Sequence, residues 1–399
     1  MGSREQGVLA DELQRGFVDG MIVRGAIRTD AVRQAFLDVP RHLFLDRYYE
    51  GDTLVEVDRD GPTEEQLRRI YSDEALVTHR QDARPTSSTS QPGLVAHMLE
   101  QLLLEPGMSV LEIGAGTGWN AGLMGHIVGP EGHVLSMDVQ GEVAEAARSH
   151  LDCAGVRNVR VITGDGGYGH AEAAPYGRIV TTANCDGISP HWAEQLARGG
   201  GLLVTLRDIA GSAMCLTVRL WRRQGCLSGE VVSVCGFMTL RGDFGTPQVT
   251  EQEVEQRRDQ VAAGRKPRQE PAPWCRLGLP EGSVRSFLPD LVFFAHLEGL
   301  AAQQLGAQYG LIEPGTGDAC VTDGDTVDVY GGEAAFRRLG EILRRWIALG
   351  APRRWSYTVE AWPLGLRKRS PRNGWLLHRP HTQLVLRPKQ RGRDRSPPW

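Results

Sequence analysis

Between Ser109 and Arg207 the chain alternates short apolar runs with amphipathic stretches, and no other feature narrows its fold so far. "SVLEIGAG", "GHVLSMDV", "VRVITGDG", "GRIVTTAN" and "GLLVTLRD" read as strands. "WNAGLMGHIVG", "GEVAEAARSHLDCAG" and "SPHWAEQLARGG" read as the helices between them. Apolar strands joined by helices make a parallel sheet covered on both faces, so the fold class is α/β, doubly wound. Upstream, "VLADELQRGFVDGMI" and "TDAVRQAFLDV" carry apolar residues at helical spacing, with Thr29-Asp30 capping the second. Residues 47–80 read as polar and irregular around one short helix, "TEEQLRRIY".

Past residue 210 the pattern changes. "SAMCLTVRLWR" and "LSGEVVSVCGFMTL" form an antiparallel pair, and the charged, Pro-rich residues 246–282 read as a linker. Alternation resumes in "LVFFAHL", "ACVTDGDTVDVYGG", the helix "GEAAFRRLGEILRRWIALG", then "RWSYTVEAW" and "TQLVLRP". The expected organisation is a catalytic domain over 1–245, a linker over 246–282, and a C-terminal α+β extension over 283–399. Trp274, Trp346, Trp355 and Trp362 are either a peptide-binding surface there or core.

Net charge is −4, but from Arg353 onward twelve Lys/Arg face only Glu360 and Asp394, leaving that end near +10 and the remainder near −14. A basic end suits an acidic partner or a solvated tail. Nothing resembles a membrane span or a secretory signal, and the seven cysteines contain no Cys-x-x-Cys pair. A cytoplasmic protein without a metal site or disulfide framework is expected.

"LEIGAGTGWN" follows the first strand and opens a helix, so Gly114, Gly116 and Gly118, with Thr117, bring backbone N–H groups close to a ligand. The spacing is not that of the dinucleotide fingerprint. Asp138 ends the second strand roughly twenty residues further on, where an acid accepts from ribose hydroxyls. Asp165 and Gly166 end the third strand at the same sheet edge. Glu112, an acid within the first strand, suits a cationic, amino-acid-bearing ligand better than a pyrophosphate. These residues favour S-adenosylmethionine over a nicotinamide cofactor.

A second unusual stretch precedes the sheet. "TSSTSQP", residues 86–92, sets five hydroxyls at a helix entrance, where one would suffice as a cap. With "VPRHLF" at 39–44, "VLEIGAGTGWNAG", "ITGDGGYG" and "SPHWAEQLARGGGLLV", it resembles the protein-L-isoaspartate O-methyltransferase family over residues 17–207.

The resemblance implies a seven-stranded sheet with its last strand inserted antiparallel, and S-adenosylmethionine as methyl donor. It implies that Ser90 hydrogen-bonds the carboxylate that receives the methyl. Ser87–Thr89 border the cofactor, and Ser88, Thr89 and Gln91 also face the substrate. A carboxylate is ionised at neutral pH, so no strong base is needed. The helix N-terminus after Pro92 is expected to favour the anion.

Several positions depart from the family. Ser88-Thr89 replaces Thr-Ile, Trp119 replaces Tyr, and Gly177 stands where an acid is usual. Residues 47–80 contain an insertion, and ordinary members end near residue 210. The long extension resembles that of family members associated with ribosomally made, modified peptides such as lanthipeptides, which implies an aspartyl side chain of a precursor peptide as substrate. Repair of isoaspartyl proteins is the alternative. The chain lacks the Asn/Asp-Pro-Pro-aromatic and Pro-Cys motifs of nucleic-acid methyltransferases. His126, His133, His170 and His191 are the candidates for a base on a small-molecule hydroxyl, and each fits surface or packing better.

Overall fold

The computed structural model describes residues 3–59, 61–245, 250–277, 284–324, 326–366 and 371–389. Helices α1 (Ser3–Val23) and α2 (Asp30–Asp38) come first, and Thr29 caps the second as expected, its hydroxyl accepting from Val32 N at 3.4 Å. Residues 47–80 are more regular than their composition suggests. Strands β1 (Arg47–Glu50) and β2 (Thr53–Glu56) pair, helix α3 (Glu64–Ile70) is closed by a Thr63–Gln66 capping box, and β3 (Leu76–Gln81) follows. β3 pairs antiparallel with β4 (Arg84–Thr89), so most of the hydroxyl run is strand, and α4 (Pro92–Leu102) starts beyond it.

The parallel α/β half then appears in the predicted order: β5 (Ser109–Ile113), α5 (Trp119–Val128), β6 (His133–Asp138), α6 (Gly141–Cys153), β7 (Val159–Thr163), β8 (Tyr176–Thr181), α7 (Pro190–Gln195) and β9 (Leu196–Arg207). β10 (Met214–Arg223) and β11 (Cys226–Gly236) turn back antiparallel. They meander outward from β9, so the last strand is not inserted as the resemblance implied.

The assigned linker carries structure: helix α8 (Glu251–Ala262) and strand β12 (Arg268–Pro271) lie within it. "LVFFAHL" lies inside helix α9 (Val284–Leu297). Strands β13 (Ala301–Leu305), β14 (Gln308–Ile312), β15 (Ala319–Thr322) and β16 (Thr326–Tyr330) join β12 in a five-stranded sheet. Helix α10 (Ala334–Ala348) and strands β17 (Tyr357–Pro363), β18 (Trp375–Arg379) and β19 (Thr382–Pro388) complete the described chain.

These last three strands extend the main sheet, whose order is β18-β19-β17-β11-β10-β9-β8-β5-β6-β7. α2, α4, α5 and α6 bury one apolar core against one face. The other core joins Ile113, Ile179 and Leu202 of the sheet to Phe293 and Phe294 of α9 and Trp346 of α10. C-terminal residues therefore cover sheet surface that would otherwise be wet. Partly buried Arg354 locks the contact, reaching the buried carboxylates of Asp208 after β9 at 2.6 Å and Asp290 of α9 at 3.2 Å. Removing one partner of such a buried pair strands a charge, so the contact is specific as well as apolar. Trp274 and Trp346 are core residues, 1% and 5% exposed. Residues 367–370 and 390–399, which carry half of the Lys and Arg of the basic end, lie outside the described residues.

Candidate functional site

Parallel order runs outward from β5 in both directions, to β6 and to β8, so the crossovers diverge above its carboxyl end. Ligands in open α/β sheets lie in that crevice. Here a cleft is lined by residues 86–90, 112–117, 137–140, Gly166, Thr182 and a segment at 237–241.

The glycine loop forms its floor. Gly114 and Gly116 have φ of +104° and +53°, in the left-handed region that side chains rarely adopt. A Cβ on Gly114 would stand 2.5 Å from the Thr182 hydroxyl, and one on Gly116 would stand 3.1 Å from the Ser88 carbonyl. Thr117 lines the cleft too. Gly118 does not: it heads α5 and packs against Ala147 of α6, where a Cβ would meet the carbonyl at 3.1 Å.

The acids are largely satisfied by the protein. Glu112 is fully buried and accepts from Asn120 Nδ2 at 2.6 Å and Ser136 Oγ at 2.5 Å. Burial pushes its carboxyl up to about 7, against the pull of those two bonds. Asp138 accepts from Gly116 N at 3.3 Å and Gln140 N at 3.0 Å, and burial raises it as well. Asp165 departs from expectation. Its oxygens take the amides of Gly167 at 2.8 Å and Asp243 at 2.6 Å, and it does not line the cleft, whereas neighbouring Gly166 does.

Opposite stands the hydroxyl wall. Ser87, Ser88, Thr89 and Ser90 all line the cleft, and none of their hydroxyls has a hydrogen-bond partner among the described residues. Capping does not explain them: the cap of α4 is Gln91, without any side-chain cap bond. Gln91 itself is exposed and outside the cleft. The α4 amide expected to favour a substrate anion is already engaged, Gly93 N donating to Asp73 Oδ1 at 2.7 Å.

The segment at 237–241 was not legible as part of the site. It is tied to the sheet by Asn184 N to Met238 O at 2.8 Å and Leu240 N to Asn184 O at 2.9 Å. From it Arg241 crosses the cleft to donate to the Thr86 carbonyl, beside Asp138. The four candidate histidines all lie outside the cleft; His126, for example, pairs with Asp38 at 3.0 Å on the surface.

An S-adenosyl ligand fits these residues. The glycine cradle leaves room that any Cβ would fill, and buried Asn120 Oδ1 lacks a partner at the cleft beside Glu112. Neutral donors and carboxylates there match an ammonium, a ribose and a sulfonium, with no cluster of cations suited to a pyrophosphate.

Known proteins agree. The model of the protein-L-isoaspartate(D-aspartate) O-methyltransferase family matches residues 13–243. A protein-L-isoaspartate O-methyltransferase of Hyperthermus butylicus is 34% identical over 59% of this chain and 90% of its own. One from Pyrococcus horikoshii is 37% identical over 57% of this chain and 92% of its own. A solved protein-L-isoaspartate O-methyltransferase shares the fold at a TM-score of 0.53 and 24% identity, covering 87% of this chain and 96% of its own. That likeness runs well past residue 243, so part of the C-terminal architecture has a counterpart there. The chain belongs to the protein-L-isoaspartate(D-aspartate) O-methyltransferase family and is a methyltransferase that uses S-adenosylmethionine.

Proposed function

We propose that the enzyme methyl-esterifies the side-chain carboxylate of an aspartate in a ribosomally made, modified peptide of the lanthipeptide kind. The observation that carries carboxyl methylation is the row of unpartnered hydroxyls, Ser87 to Ser90, facing the glycine loop across one cleft. Such donors orient an anion while leaving its lone pairs available, as a bidentate arginine would not. The peptide assignment draws on the long C-terminal region built onto the sheet, which offers a dedicated substrate more than one point of contact.

In this reading Gly114, Gly116 and Thr117 cradle the amino-acid tail of the cofactor, with Glu112 and Asn120 beneath its ammonium. Asp138 takes the ribose hydroxyls, and Ser87 and Gly166 flank the remainder. When bound, the cofactor supplies an electrophilic methyl on sulfur. Ser90, helped by Ser88 and Thr89, aims one carboxylate oxygen along the sulfur–carbon axis. A carbon–oxygen bond forms as the carbon–sulfur bond breaks, and the electron pair leaves with sulfur. No proton moves in this step, which suits a wall without a base. The ester then activates its own peptide: the following backbone nitrogen attacks, methanol leaves, and the succinimide opens with water to isoaspartate or persists.

A second reading is repair of isoaspartyl proteins, favoured by the names of the relatives and by a C-terminal architecture shared with one of them. Both readings suit a cytoplasmic enzyme; among the described residues no disulfide forms and no helix is long and apolar enough to cross a membrane. Incubating the full chain with S-adenosylmethionine and matched Asp and isoAsp peptides, linear and thioether-bridged, separates the two by mass. Methylation followed by loss of methanol, a net loss of water from the starting peptide, confined to the bridged Asp peptide supports the first. Turnover of isoaspartyl peptides alone selects repair, and turnover of neither rejects carboxyl methylation.

A further inference from the structure

Arg41 is fully buried yet, among the described residues, has no carboxylate within salt-bridge distance. Its guanidinium instead donates to four backbone carbonyls. Nη1 reaches Ile70 O at 2.6 Å and Ser72 O at 3.0 Å; Nη2 reaches Glu74 O at 2.9 Å and Ser90 O at 3.1 Å. The same group lies 5.3 Å from the ring centre of Trp119, whose indole N–H donates to Val39 O at 3.1 Å. Trp119 opens α5 directly after the glycine loop, and Ser90 closes the hydroxyl wall. One side chain therefore touches the backbone of the acceptor wall and the helix that carries the donor loop.

We propose that Arg41 is a positioning residue for methyl transfer: it fixes the distance between the Ser90 wall and the glycine loop. Burying a cation that touches no carboxylate is costly even with Asp73 acting on it at longer range, and a core filler would do the packing more cheaply. What an arginine adds is its planar fork, with two nitrogens that each span two acceptors at fixed angles. Lysine presents its donors from a single point and cannot hold both Ser72 and Ser90. A second tether backs the first, since Asp73, from the same 70–74 segment, holds Gly93 N just beyond Ser90. In-line displacement depends steeply on approach, and about 1 Å of misplacement costs on the order of 100-fold in rate.

This inference rests on the reading of Ser90 as an acceptor-side group, so the test first requires wild-type methylation of a carboxylate peptide. If wild type transfers no methyl to carboxylate, that reading fails, and this one with it. With wild type active, Arg41→Lys is assayed at saturating cofactor, and the rate is expressed per site titrated with S-adenosylhomocysteine. The expected result is a kcat lower by on the order of 100-fold, with adenosylhomocysteine affinity within about twofold. A merely structural arginine would lower the number of binding sites but leave the rate per site within about threefold, and that result overturns the proposal. If Arg41→Lys yields no folded protein, the bond is weakened from its other end. Replacing Gln91 by its α-hydroxy analogue turns the Ser90 carbonyl into a poorer ester acceptor while Arg41 stays in place. A kcat per site lower by about fivefold or more supports the proposal, and an unchanged one overturns it.

Discussion

The two walls of the cleft are built on opposite principles. On the donor side each acid is held by the protein itself: Glu112 by Asn120 and Ser136, Asp138 by the amides of Gly116 and Gln140. On the acceptor side four successive hydroxyls have no hydrogen-bond partner among the described residues. A wall that satisfies its own polar groups keeps its shape between visits of a ligand. Polar groups left open at a cleft are satisfied only when something arrives, and weak donors do not tie up the attacking oxygen. Changes on the donor side should therefore register in cofactor affinity and stability, and changes on the acceptor side in turnover.

The largest effect is expected at Gly114. Gly114→Ala places a side chain at a φ of +104° and 2.5 Å from the Thr182 hydroxyl. The strain is about 3 kcal/mol, or on the order of 100-fold in adenosylhomocysteine affinity by calorimetry. An unchanged affinity would remove the loop from the cofactor site.

Glu112 comes next, through pH. Burial raises its folded pKa from 4.5 to about 7, so the folded state holds a proton that the unfolded state has released between those values. The stability this contributes is complete below about pH 4.5 and is lost as pH rises through 7. Glu112→Gln should flatten that loss, on the order of 2 kcal/mol, in denaturation midpoints compared at pH 5 and pH 8. Parallel pH profiles for variant and wild type would show that the carboxyl is not perturbed as the structure implies.

Ser90→Ala tests the other wall. It removes one donor to the reacting carboxylate, and kcat should fall by about 2 kcal/mol, roughly 30-fold, while cofactor affinity stays within about twofold. Affinity falling in step with turnover would erase the contrast between the walls.

How far the sequence could be read follows from the kinds of contact involved. The parallel half was legible because strands buried on both faces are almost wholly apolar, and because the glycine loop and Asp138 follow strands directly. β4 was not: "RPTSST" is polar apart from Pro85 and forms a strand only because β3 folds back on it. α9 hid for the opposite reason. "VRSFLPDLVFFAHL" is buried nearly all round, which erases helical periodicity, and Pro289 sits inside it. The addition of β17, β19 and β18 to the main sheet is a long-range pairing that no local pattern encodes. Asp165 was placed correctly at its strand end but not in its contacts, since Asp243, which engages it, lies 78 positions away. For the same reason Arg241 carried no signal, while Val39-Pro40-Arg41 stood out as a motif before its hydrogen bonds gave Arg41 a role.

The smallest effect is expected at Gln91, and it marks where the acceptor wall stops. The resemblance assigned its side chain to the substrate, yet that side chain is exposed and outside the cleft. What Gln91 supplies is backbone: its φ of −57° and ψ of 124° turn the chain from β4 into α4, and its carbonyl accepts from Val95 N at 3.0 Å. Alanine adopts the same angles and keeps the same carbonyl, so Gln91→Ala should leave kcat/KM for the peptide within about twofold of wild type, less than ~0.5 kcal/mol. A tenfold drop, measured beside an unchanged denaturation midpoint, would mean that a bound peptide reaches beyond Ser90 over the start of α4. The open wall would then be longer by one residue than the free protein shows, and the side chain, not the turn, would be what the family motif preserves at this position.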